Sequence, residues 1–284
     1  MENSKTILVT GADGFIGKNL IKKLEGTANI ISIDFINGKG IQDWTYSDIK
    51  DNLENLNNID LIYHLGAFVR VQESLDKPKK YLDNNIQSTQ AVLDLARSHR
   101  CKVVYAGSAS KHGGTHLSPY ASSKFLGEEL CKLYRTVYKI PVEIARFYNV
   151  YGPGEHVRPQ DASVFGIWRW NAKKGKQCSI VGDGEQTRDF VHVEDIVEGL
   201  IKIAESNETQ EDAWELGSGE SISVNELAFY FKTRYPDLVF YNVEDQLGNF
   251  RKSELVNDEA NRRLGWNPKR KILEFVVEEK KKIF

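Results

Sequence analysis

Cysteine is scarce in this chain: Cys101, Cys131 and Cys178 are the only three, widely spaced and without a CxxC pair. An odd, scattered set excludes a disulfide framework and a zinc-binding cysteine cluster, and it suits a reducing cytoplasm. No apolar run approaches the roughly 20 residues of a membrane span, so no membrane partner is expected. The first residues, Met1 to Lys5, lead straight into an apolar strand without the apolar core of a signal peptide. Charge of one sign is also missing. Lys and Arg number 38 against 40 Asp and Glu, a formal net charge of −2. That balance argues against binding a nucleic acid by bulk electrostatics, but not against one small phosphorylated ligand. No Pro/Ser-rich linker, internal repeat or low-complexity tract divides the 284 residues, so any two domains should pack closely.

Against these absences stands a regular alternation. Short runs rich in β-branched residues recur at Ile7–Val9, Ile30–Ile33, Leu61–Leu65, Val103–Tyr105 and Val142–Phe147. Between them, residues 15–24, 86–96 and 120–138 carry a helical period, with Leu126, Leu130, Leu133 and Val137 on one stripe of the last. Strand–helix alternation predicts an α/β fold: a Rossmann-type doubly wound parallel sheet with helices on both faces. Near residue 150 the rhythm breaks at Tyr151-Gly152-Pro153-Gly154 and the elements shorten. The expected division is a dinucleotide domain over 1–153 and a smaller mixed α/β substrate domain over 154–284, with parts near 190–216 returning to the first. The tail Lys280–Lys282 reads as the solvated basic end of a helix.

Thr10-Gly11-Ala12-Asp13-Gly14-Phe15-Ile16-Gly17 joins the first strand to the first helix. Gly11 allows a tight turn, Gly14 a close approach of backbone to a pyrophosphate, and Gly17 close helix–strand packing. The helix N-terminus offers free N–H groups to phosphate. A loop that merely needs three glycines reads the same way in isolation. Asp34, closing the second strand, adds a carboxylate that can accept from a ribose diol and repel a 2′-phosphate. No Arg or Lys follows until Lys39, so the residues favour NAD over NADP. A strand-end turn residue is the alternative reading of Asp34, which the glycines before it disfavour.

Tyr120 and Lys124 stand four apart, on one face of a helix. Tyrosine titrates near 10 and is a poor base at neutral pH, but a nearby ammonium, with the positive charge of an oxidised nicotinamide, should lower that value and let Tyr120 take a proton from a sugar hydroxyl. The spacing alone has little weight, since Tyr46 and Lys50 repeat it in a polar stretch with no strand before it. The first copy follows a strand ending in Gly107-Ser108-Ala109-Ser110, which makes Ser108 a third candidate that could hold the same oxygen. His112 and His116, four apart, lie among glycines that argue against a helical metal pair, so no metal is expected.

Taken together these residues resemble the extended short-chain dehydrogenase/reductases, specifically the nucleotide-sugar epimerases and dehydratases. The resemblance covers nearly the whole chain. It includes the Thr10–Gly17 loop, His64-Leu65-Gly66-Ala67, Ser74, Pro78 and Asn85, the trio Ser108, Tyr120 and Lys124, the strand Arg146 to Pro153, the stretch Gly182 to Asp195, and Leu264-Gly265-Trp266-Asn267-Pro268. It implies NAD held by Gly11, Asp13, Gly14, Phe15, Ile16, Gly17, Asp34, Leu65, Gly66, Ala67, Asn85, Tyr120 and Lys124. It implies a nucleoside-diphosphate sugar, a UDP-sugar foremost, held by Ser108, Asn149 and Arg188. Arg251 is expected to replace the family's later phosphate-binding arginine, whose place Gln246 takes. His192 fits a structural role. The family's dehydratases carry Asp-Glu just after the hydroxyl residue, where this chain has Ala109-Ser110. By exclusion this favours epimerisation, at C4 of a UDP-hexose, over elimination. A nucleotide-sugar reductase is the alternative, and a non-catalytic dinucleotide sensor a more distant one. The resemblance also implies a homodimer built on the helices near 86–96 and 120–138. The segment between Ser108 and Tyr120 is short for the family, which should either open the pocket near the sugar or leave its place to a neighbouring segment.

Overall fold

Strand burial explains the layering. In β1 (Thr6–Thr10) the side chains of Ile7 and Val9 enter one core and Leu8 the other, so the strand is covered on both faces. This computed structural model describes residues 4–34, 53, 56–156 and 162–278. The Tyr46/Lys50 copy and the Lys280–Lys282 tail lie outside them. In chain order β1 is followed by α1 (Phe15–Leu24), β2 (Asn29–Ile33), β3 (Leu61–His64), α2 (Val71–Asp76), α3 (Pro78–His99), β4 (Lys102–Ser108), α4 (Ser110–Gly113), α5 (Pro119–Tyr138) and β5 (Val142–Phe147). Then come β6 (Asn149–Tyr151), α6 (Val164–Lys173), β7 (Cys178–Val181), β8 (Thr187–His192), α7 (Val193–Glu205), β9 (Trp214–Leu216), β10 (Ser221–Ser223), α8 (Val224–Arg234), β11 (Phe240–Val243), α9 (Glu259–Leu264) and α10 (Ile272–Glu278).

The main sheet has six strands in the order β2-β1-β3-β4-β5-β9, and every neighbouring pair is parallel. The doubly wound α/β expectation is met. Leu20 and Leu24 of α1 and Ile196, Leu200 and Ile203 of α7 fill one face, together with Trp214 and Trp266. Ala91, Val92 and Leu95 of α3 and Cys131 and Tyr134 of α5 fill the other. After β1 the chain turns first to β2 on one side and later to β3 on the other. The crevice at that switch point, beyond the carboxyl ends of the strands, is where such sheets bind ligands.

The second half contributes to both layers. α7 and β9 join the main sheet, while β6, β8 and β10 form a three-stranded sheet and β7 pairs with β11. A third core of Tyr151, Phe165, Trp168, Phe190, Leu227 and Phe231 supports that part. His192 is structural there: its Nδ1 accepts from the Glu194 N–H at 3.2 Å, capping α7, and its ring meets Tyr151 edge-on.

The apolar stripe of α5 is not the face that packs on the sheet. Leu126, Leu133 and Val137 are exposed, whereas Ala121, Ser123, Lys124, Gly127, Glu128, Cys131 and Tyr134 are buried. The cause is close approach: a Cβ on Gly127 would stand 2.2 Å from the Tyr105 hydroxyl, so only small side chains fit there. Ser118 caps this helix, its Oγ accepting from the Ala121 N–H at 3.1 Å, and so fixes where Tyr120 and Lys124 begin.

Candidate active site

The glycine loop is shaped by contacts that no side chain would survive. Gly11 adopts φ +68°, and a Cβ there would meet the Gly66 backbone nitrogen at 2.7 Å; a Cβ on Gly17 would meet the Gly11 carbonyl oxygen at 2.1 Å. The ends of β1 and β3 are therefore in contact, and Leu65 and Gly66 donate to Thr10, through its carbonyl and its Oγ1, both at 3.2 Å. Asp34 closes the other side, one carboxylate oxygen accepting from the Asp13 N–H at 2.8 Å. α1 then starts at Phe15 and Ile16 with Gly14 as its cap residue, without a side-chain cap on its first N–H groups. Bare N–H groups, a backbone free of Cβ atoms and a carboxylate at the end of β2 fit a dinucleotide's pyrophosphate and ribose. Asn85 sits differently from expectation. Its amide is committed to Phe68, with Oδ1 accepting from the Phe68 N–H at 2.8 Å and Nδ2 donating to the Phe68 carbonyl at 3.0 Å, and to Ser123 Oγ at 2.9 Å. It braces the Ala67–Phe68 loop from behind.

Ser108, Tyr120 and Lys124 converge, because β4 ends where α5 begins. The Tyr120 hydroxyl donates to Ser108 Oγ at 3.2 Å, and Ser108 Oγ donates to Ser110 Oγ at 2.9 Å. Lys124 is buried, its ammonium 4.3 Å from the Tyr105 ring centroid. Burial lowers its pKa to about 8, against the pull of Glu128. The expectation that the ammonium lowers Tyr120 is not met. Burial raises the Tyr120 phenol, the Ser108 hydrogen bond opposes that rise, and Glu128 adds to it.

A cluster of buried charge underlies this trio and escaped the sequence reading. Arg146 on β5 is fully enclosed. Its guanidinium donates to both Glu128 carboxylate oxygens at 2.7–3.1 Å, to Glu215 at 2.9 Å and to Asp212 at 2.5–2.8 Å. Glu128 Oε1 also accepts from the Ser108 N–H at 3.4 Å. Lys111 and Lys132 reach Asp212 at 2.9 and 2.7 Å, and His112 Nε2 lies 2.9 Å from Glu215 Oε1. Hydrogen bonds from Arg146 first, then from Lys132 and Lys111, hold Asp212 far below the usual carboxylate range. Removing one member of such a buried pair leaves an uncompensated charge and costs about 3–5 kcal/mol.

A cavity of about 570 Å³ opens in front of the trio. Ser108, Ser110, Tyr120 and Tyr148 line one part of it, and Trp168, Ile167, Val224 and Phe190 form an apolar wall. Asn149 and Arg188 line it; Asn149 Nδ2 donates to the Asp189 carbonyl at 3.1 Å. Arg188 does not pair with Asp189, which accepts instead from Ser218 and Gly219. The Arg188 guanidinium donates to Asn249 Oδ1 at 2.6 Å and to the Phe250 carbonyl at 2.8 Å, and burial lowers its pKa to about 10. Arg251 is the clearest misplacement. It is exposed and pairs with Asp183 at 2.8 Å, outside the cavity lining, because its side chain leaves the strand-edge segment toward solvent. Gln246 does line the cavity. So does Arg70, unflagged in the sequence, which donates to the Ala162 carbonyl across the cleft. Trp168 lines the cavity, whereas Phe68 packs on Tyr81 beneath Lys80.

Residues 7–217 match the model of the NAD dependent epimerase/dehydratase family. A putative UDP-glucose 4-epimerase of Methanocaldococcus jannaschii is 33% identical over 247 residues, 78% of this chain and 79% of that protein. Among solved structures, the UDP-glucose 4-epimerase of Thermotoga maritima with UDP-glucose superposes with a TM-score of 0.85 at 25% identity, covering 96% of each chain. MoeE5 in complex with UDP-glucose and NAD superposes with a TM-score of 0.83 at 26% identity, again over 96% of each chain.

Proposed function

The chain belongs to the NAD dependent epimerase/dehydratase family, with NAD as its cofactor, and from that premise we propose that it epimerises a nucleoside-diphosphate sugar, a UDP-hexose at C4. The observation that carries this reading is the Tyr120–Ser108 pair, 3.2 Å apart at the cavity wall, followed by Ala109-Ser110 rather than by an acid and a base. The glycine loop and Asp34 would hold NAD, which would supply the hydride acceptor and donor for the sugar carbon.

Tyr120 takes the proton of the sugar hydroxyl, and Ser108 holds the same oxygen by hydrogen bonding. Burial disfavours the phenolate, and the hydrogen bond to Ser108 works in its favour. The keto sugar turns within the cavity, and Tyr120 returns the proton after the opposite face has been reduced. Nothing is eliminated, so the chemistry asks for no further acid. Arg188 serves the diphosphate, where a guanidinium suits bidentate recognition, and the apolar wall with Trp168 faces the base. The similarity to proteins named UDP-glucose 4-epimerase, one of them solved with UDP-glucose, favours uridine.

The exposed stripe of Leu126, Leu133 and Val137 on α5 supports a homodimer, since an isolated soluble chain rarely leaves such a row to water. The substrate assignment is tested by incubating the purified protein with UDP-, GDP- and dTDP-sugars and separating the products. Interconversion of a UDP-hexose pair at constant mass is expected. Net reduction of an added keto sugar, or loss of water, would overturn it.

A further inference from the structure

Another part of the chain packs against the segment between Ser108 and Tyr120. Residues 246–250, between β11 and Arg251, fold back across the cleft. The Leu247 carbonyl accepts from Gln72 Nε2 at 2.9 Å. Gly248 lies against Val71, where a Cβ would meet Val71 Cγ1 at 2.7 Å. The Phe250 side chain then rests on α4. A Cβ on Gly113 would stand 2.7 Å from Phe250 Cγ and 2.9 Å from Cδ1, so the ring occupies the space a side chain at 113 would need. The same ring lies 4.4 Å from the Arg188 guanidinium carbon, and the Phe250 carbonyl accepts from Arg188 Nη1 at 2.8 Å. Phe250 also lines the cavity beside Ser110 and Tyr148.

We propose that Phe250 is a positioning residue. Seated on Gly113, it forms part of the cavity wall and holds the Arg188 guanidinium aimed at the diphosphate of the substrate. The proposal rests on the nucleotide-sugar reading and assigns one residue outside the trio to it. The geometry is specific. One ring is shared between a glycine that must lack a Cβ and an arginine that must point into the cavity. Cation–π contact and the carbonyl bond orient that arginine where burial has stripped its water. An ordinary core phenylalanine would not need the glycine partner.

The test is a double-mutant cycle on the NAD-loaded protein, with UDP affinity read by calorimetry and stability by thermal melting. Phe250→Ala is expected to weaken UDP about tenfold while bound NAD is retained. Gly113→Ala, which pushes the ring off its seat, is expected to weaken UDP by a similar factor. In the Phe250→Ala background the Gly113→Ala change should have no further effect on either readout, and Phe250→Tyr should recover most of the affinity. UDP binding unchanged in Gly113→Ala, or effects that simply multiply in the double variant, would overturn the positioning role. A wild-type protein that binds no UDP, with coupling still present in melting, would instead overturn the nucleotide reading and with it the role of the ring.

Discussion

The Tyr120 hydroxyl donates to Ser108 Oγ over 3.2 Å, joining the first turn of α5 to the last residue of β4. Twelve residues of sequence separate the two, and the pair points into the cavity. Behind it, Glu128 is bonded to both the Ser108 N–H and Arg146, so the hydroxyl pair is mounted on a buried ion cluster and not on a loose loop.

Removing the phenol removes the proton relay and little else. Tyr120→Phe should retain bound NAD and lose sugar interconversion by about 10²–10⁴-fold, the range for a general acid–base group. Turnover at the wild-type rate, measured on a UDP-hexose, would show that another group moves the proton.

Asp34 bears on the cofactor. Its carboxylate already orders the Asp13 N–H, so Asp34→Ala should weaken NAD both through the ribose and by loosening the glycine loop. A loss of about tenfold or more in NAD affinity is expected by titration on the apoprotein, with the sugar preference of the reloaded enzyme unchanged. Equal affinity in the two proteins would contradict the ribose reading.

His64 makes stability depend on acid. It is held between Thr10 Oγ1 at 2.7 Å and Thr89 Oγ1 at 3.1 Å, and burial, aided by the Lys124 charge, lowers its pKa from 6.5 to about 3. Between those values the unfolded chain binds a proton that the folded chain does not. The stability from the neutral ring is complete above about pH 6.5 and falls with pH by up to about 1.4 kcal/mol per unit. Urea midpoints measured between pH 7 and 4 should drop less steeply in His64→Gln than in the wild type. Parallel slopes would remove His64 from the acid response.

The exposed face of α5 predicts an interface. Leu133, about half exposed beside Leu126 and Val137, should lie at its centre, and Leu133→Glu should convert a dimer into a monomer in sedimentation. An unchanged mass would place the interface elsewhere.

Much of this was readable from the chain because it is local. Gly11, Gly14 and Gly17 lie within one turn and its helix, and Tyr120 and Lys124 within one helical turn, so spacing alone brings each set together. The strands were legible from their β-branched runs, and the covered parallel sheet from their alternation with helices. What stayed hidden depends on contacts distant in sequence. The stripe of Leu126, Leu133 and Val137 gave the helix its period but not its orientation, because the Gly127 contact with Tyr105 decides which face can approach the sheet. Arg251 and Arg188 have the same chemistry, and only the fold sends one to Asp183 at the surface and the other into the cavity. The seat of Phe250 on Gly113 joins residues more than a hundred apart and leaves no local pattern.

The most direct test of epimerisation follows one atom. UDP-glucose deuterated at C4 is incubated with the wild-type protein, and the product is analysed by mass spectrometry and NMR. If Tyr120 and Ser108 serve a hydride that leaves and returns to the same carbon, UDP-galactose appears with the deuterium still on C4 and with the substrate's mass. Deuterium found on another carbon, exchanged into water, or accompanied by loss of a water molecule would contradict epimerisation at that centre.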